Sequence, residues 1–111
     1  YDHLAGEQAV AMLDRLVDRK VLLRHDREIR LGPAAASHFS ALGIDVEAKA
    51  RRPVCRACLD WSVRRSHLAG TLGAAILDKI IAEKWARREK DSRAVVFSPP
   101  GRQAFEKVFL A

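Results

Sequence analysis

The sequence predicts a mainly α fold with two short β-hairpins, an α+β chain made of two tandem winged-helix-like repeats. Three observations carry that expectation. The tetrapeptide His-Leu-Ala-Gly occurs twice, as His3-Leu-Ala-Gly6 and His67-Leu-Ala-Gly70. Each copy leads into a run whose apolar residues recur at three- and four-residue spacing, the mark of an amphipathic helix. Each run is followed by two strand-like stretches around a polar tip, the mark of a hairpin.

Taken in order, Glu7 to Lys20 places Ala9, Met12, Leu13, Leu16 and Val17 on one helical face and Asp14, Arg15, Asp18 and Arg19 on the other. Val21 to Leu31 reads as a hairpin with its tip at His25-Asp26-Arg27. A helix is expected from Gly32-Pro33, with Phe39 and Leu42 as apolar contacts and Gly43 as its C-terminal glycine. Asp45 caps a short turn through Ala50, and Arg51-Arg52-Pro53 divides the chain into repeat 1 (1–52, first helix truncated) and repeat 2 (53–111).

The second half is expected to open with a helix from about Val54 to Arg65, carrying Cys55, Cys58, Leu59 and Ser62 on one side. Ser66 then caps a helix from His67 to about Lys84, whose rows Leu68-Leu72-Ile76-Ile80 and Ala69-Gly73-Leu77-Ile81 make a broad apolar face. Trp85–Arg88 and Ala94–Phe97 form the second hairpin around Lys90-Asp91-Ser92, and Ser98-Pro99-Pro100 starts the last helix, Gly101 to about Leu110. At a constant offset, Ala11, Leu13, Asp14, Lys20 and Arg24 recur as Ala75, Leu77, Asp78, Lys84 and Arg88. Pro33 and Phe39 recur as Pro99 and Phe105 with two extra residues between, which belong at a hairpin tip.

A formal charge of +6 favours polyanionic partners without singling out DNA. Helix, turn, helix, hairpin is the order of a winged-helix DNA reader. Yet the expected recognition helix starts Leu68, Ala69, Gly70, Thr71, Leu72, Gly73, with none of the Arg, Lys, Asn or Gln that reach base edges. Small residues there favour close packing between the repeats. Arg64, Arg65, Arg87, Arg88, Lys90 and Arg93 are candidate DNA-backbone contacts, with a solvated basic face as the equal alternative. No nucleophile elbow or phosphate loop is present, so an enzyme is not expected.

The candidate effector, redox or metal site comprises His3, Cys55, Cys58, Asp60 and His67. Cys55-Arg-Ala-Cys58 has the spacing of a metal knuckle, and two histidines at equivalent repeat positions could complete a tetrahedral set. One knuckle without a second pair also fits small core cysteines, so no metal and no cofactor is assigned. The chain begins at Tyr1 without Met, directly at the repeated motif, and an upstream segment is expected. No run is apolar enough to span a bilayer, and neighbouring cysteines point to a reducing, cytoplasmic setting.

Tyr1-Asp-His-Leu-Ala-Gly6, Leu42-Gly-Ile-Asp45, Cys58-Leu-Asp-Trp61 with Arg64, His67-Leu-Ala-Gly70-Thr-Leu-Gly73, and the Pro-Gly-Arg at 100–102 closely resemble the C-terminal half of a subgroup of ArsR-type bacterial transcriptional regulators. The resemblance implies an N-terminal winged helix-turn-helix that reads operator DNA as a homodimer, with this chain as the regulatory or assembly half of a repressor. Contact of DNA by this chain's own hairpins and arginines, or a pure dimerisation scaffold, are the alternatives. The chain departs from the subgroup at Cys55, at Lys84, where a helix-ending Gly is usual, and at Pro100. The resemblance leaves the effector unidentified.

Overall fold

A computed structural model describes residues 3–26, 28–44, 55–60, 65–90 and 94–110. Four α-helices and three two-stranded antiparallel hairpins are found among the described residues: α1 (Glu7–Asp18), β1 (Leu22–His25), β2 (Glu28–Leu31), α2 (Ala35–Ser40), β3 (Arg56–Asp60), β4 (Arg65–Ala69), α3 (Gly70–Ala82), β5 (Ala86–Arg88), β6 (Val95–Phe97) and α4 (Pro99–Phe105), which runs on into a π-helical turn, Glu106–Leu110. The α+β class therefore holds, and helix, hairpin, helix occurs twice.

One element differs from expectation. The segment read as a helix over 54–65 forms instead, where described, a hairpin in which Arg56 pairs with Ala69, Cys58 with His67 and Asp60 with Arg65. Its apolar spacing fits either period. Pairing decides the matter, because β4 buries His67, Leu68 and Ala69 against α1 and α3. The expected helix at His67 consequently begins three residues later, at Gly70, and Ser66 is a strand residue rather than its cap. With no helix in Arg56–Asp60 or Arg65–Ala69, the second half lacks the first helix of a helix-turn-helix among the described residues. The helical turn expected at 45–50, the break at 51–53, Trp61 and Arg64, and the tips at Arg27 and 91–93 lie outside the described residues.

Both tetrapeptides end in a glycine of positive φ at the start of a helix. Gly6, the residue before α1, has φ 89 and ψ −169, a region open essentially to glycine alone, and Gly70 has φ 80. The chain thus turns from extended to helical in one residue. Both long helices also finish alike. After α1, Lys20 at φ 61 donates its N–H to the Val17 carbonyl and Val21 to that of Leu16. After α3, Lys84 at φ 60 donates to Ile81 and Trp85 to Ile80. These are Schellman endings with lysine in the left-handed position that glycine usually takes.

The two halves share one core. Met12, Leu13 and Leu16 of α1, Leu72, Ile76, Leu77 and Ile80 of α3, and Phe39, Phe105 and Phe109 are all at most 2% exposed and belong to a single cluster. Each such side chain contributes about 1.5–3 kcal/mol by leaving water. The short helix α2 starts at Ala35, two residues beyond Pro33, and ends at Ser40, with Gly43 at φ 75 in the turn that follows. Ser98 caps α4, its hydroxyl accepting the Gly101 N–H at 3.0 Å.

Within α2, His38 lies edge-on to Phe39, its rings' centroids 5.0 Å apart, and its buried Nε2 has no hydrogen-bond partner among the described residues. Burial, aided by the charge of Arg19, holds its pKa below the usual 6.5. The unfolded chain therefore takes up a proton that the folded one resists, so this contribution to stability is full above about pH 6.5 and declines as pH falls towards the folded pKa. In His38→Gln the urea midpoint should vary less between pH 7 and 5 than in the parent. Lys84→Gly should raise stability by about 0.5–1 kcal/mol in urea denaturation by relieving the left-handed lysine. A destabilised variant would contradict that account.

Candidate functional site

Among the described residues the buried polar or charged side chains are two, His3 at 9% and His67 at 0% exposure, and they meet. Their Nε2 atoms are 2.9 Å apart and their ring centroids 4.9 Å. The repeat explains this placement. Each histidine stands three residues before its reversing glycine, so the same local geometry sends both rings into the seam between the halves. Close approach is possible because α3 carries Gly73 there: a Cβ at that position would stand 2.7 Å from the Leu68 carbonyl oxygen and 3.2 Å from the His3 Cβ.

Cys58 joins them from β3. It is directly opposite His67 in the antiparallel register, so the two side chains share a face of the hairpin. One ligand atom from each of His3, Cys58 and His67 lies within 4.8 Å of the other two, and Cys58 is half-buried. Among the described residues its thiol makes a long contact, 3.9 Å, to the Leu59 carbonyl. Two imidazoles and a thiol from segments far apart in sequence can share a proton or hold a borderline metal ion.

The structure divides the remaining candidates. Cys55 precedes β3, packs against the core and stays outside the His3–Cys58–His67 group. Burial pushes its thiol up to about 11, which keeps it protonated at neutral pH. Asp60 is the last residue of β3, opposite Arg65. Arg65 forms an ion pair with Asp14, and Arg24 reaches the same carboxylate at 3.4 Å, so Asp14 ties α1 to β1 and β4. Arg87, Arg88 and Lys90 are exposed, and Arg64 and Arg93 lie outside the described residues. The first turn of α3 has Gly70, Leu72 and Gly73 buried and only Thr71 and Ala74 partly exposed, neither of them a side chain that reaches base edges as Arg, Lys, Asn or Gln do.

Sequence reasoning missed an open groove of about 640 Å³ between the end of α3 and the β5–β6 hairpin, walled by Ile81, Trp85, Val96 and Phe97 with Arg87 and Arg88 at its rim. A signal for it exists. Val95, Val96 and Phe97 are consecutive apolar residues in a two-stranded hairpin that alternates faces, and all three stay partly exposed. At pH 7.5 a thiol-alkylating reagent should modify Cys55 roughly a hundredfold more slowly than a free cysteine, gaining about tenfold per pH unit above that. Mass spectrometry of the alkylated peptides checks it, and rapid labelling of Cys55 would refute its burial.

Comparison with known proteins gives one informative match. The chain is 41% identical over 109 residues to an uncharacterized HTH-type transcriptional regulator, YdfF, of Bacillus subtilis (strain 168). That alignment takes in 96% of this chain but 48% of the relative, so the chain spans about half the length of the curated protein it resembles. No protein-family model matches the chain. No solved structure matches it significantly.

Proposed function

We propose that this chain is the regulatory and assembly half of a bacterial transcription regulator of ArsR type, with the operator-reading winged helix lying N-terminal to it. The observation that carries this reading is the similarity along almost the whole chain to half of a helix-turn-helix regulator. The buried start of α3 supports it as well, because a domain without an exposed recognition helix needs its base contacts supplied elsewhere. In this reading the protein is a cytoplasmic repressor. It acts as a homodimer, and the effector site is the seam where His3, Cys58 and His67 meet.

Leu23, Leu31 and Leu59, on the neighbouring β1–β2 and β3–β4 hairpins, are exposed, with Leu23 and Leu31 on opposite faces of theirs, so they do not form one apolar surface. Arg87, Arg88 and Lys90 then add salt-sensitive attraction to the phosphate backbone without reading sequence.

The test is selection from a random-sequence DNA pool followed by anisotropy titrations, run on the full-length gene product and on the 111-residue segment. The full-length protein should enrich one operator sequence and retain its preference at physiological salt. The segment should bind only at low ionic strength and without preference. Sequence-selective binding by the segment alone would overturn the assignment of base reading to another domain.

A further inference from the structure

We propose that His3, Cys58 and His67 form a three-ligand site, two imidazole nitrogens and one thiolate sulfur, for a zinc-class divalent ion, which pins the segment before α1 to the β3–β4 hairpin. The inference rests on placing the effector site at this seam and not on the DNA-binding role.

Geometry is the first support. Tetrahedral zinc, with Zn–N of about 2.0–2.1 Å and Zn–S of about 2.3 Å, sets the two nitrogens about 3.3 Å apart and each nitrogen about 3.5 Å from the sulfur. The Nε2 atoms stand at 2.9 Å and all three ligand atoms lie within 4.8 Å of one another. Shifts of about half an ångström for the rings and about one for the thiol therefore complete the site. Side-chain rotation supplies the larger of these shifts, that of the thiol, since Cys58 is only half-buried.

Chemistry is the second. A borderline-soft ion prefers imidazole and thiolate over the oxygen ligands that magnesium and calcium require. Three protein ligands leave a fourth position for water or an exogenous group, reached from the partly exposed side where Cys58 lies. Binding forms two metal–nitrogen bonds and one metal–sulfur bond. The S–H bond breaks, its proton leaves to solvent, and the Nε2 proton held between the rings is re-placed at a ring Nδ1, so affinity rises with pH. The site joins positions 64 residues apart, and the ion would brace the seam between the halves.

Chelator-treated, reduced full-length protein titrated with Co2+ is the test, with Zn2+ competition giving affinity. One equivalent per chain should produce the intense visible bands of tetrahedral Co2+ and a near-ultraviolet thiolate-to-metal band, both lost on adding Zn2+. Cys58→Ser should abolish the near-ultraviolet band, and His3→Gln should weaken Zn2+ binding by upward of about a hundredfold. Cys55→Ser should change neither. Circular dichroism on each variant separates ligand loss from unfolding, and His3 and Cys58 are chosen over the fully buried His67 for that reason. Absence of a thiolate band in the parent, or a band that survives Cys58→Ser and vanishes in Cys55→Ser, overturns the proposal. DNA binding that fails while the Co2+ spectrum appears would overturn the regulator reading and leave the site standing.

Discussion

The reversal of the backbone at Gly6 and Gly70 is the constraint on which the other placements depend. An extended segment enters, one residue takes a conformation that a side chain would resist, and a helix leaves. Because the turn is made in a single residue, the histidine three positions earlier stays buried, His3 lying against the first turn of α3. Two copies of that arrangement, packed face to face, leave the two rings no place but against each other. The tetrapeptide repeat is thus a structural device first, and the polar cluster follows from its duplication.

Glycine at position 73 completes the device. Helix α3 presents backbone rather than side chain to the His3 segment, so the halves close to contact distance. Asp14 holds the same region from outside, gripping arginines of β1 and β4. These pairs are half exposed, and their value is in orientation more than in energy. The greater part of the stability comes from the shared apolar core.

Much of this was legible in the residues. The rows of α1 and α3, the two outer hairpins and the Ser98 cap all carry local signals that agree with the fold, as segments with strong periodicity should. The hairpin of β3 and β4 did not announce itself, because Cys55, Cys58 and Leu59 suit a helical face as well as a strand and only pairing with β4 separates the two. At the site, repeat logic brought His3 and His67 together and proximity in sequence added Cys58. Cys55, three positions earlier and just before the strand, stays outside that group.

The long reach of the seam has a consequence for folding. Hairpins and helix endings here close over a few residues, whereas the meeting of His3 with His67, like the packing of α1 on β4, spans most of the chain. Loop closure of that length is among the last steps to be rewarded as the chain collapses. Anything that grips the seam therefore recognises the completed domain and neither half alone, and its binding energy adds to the cooperativity of the whole.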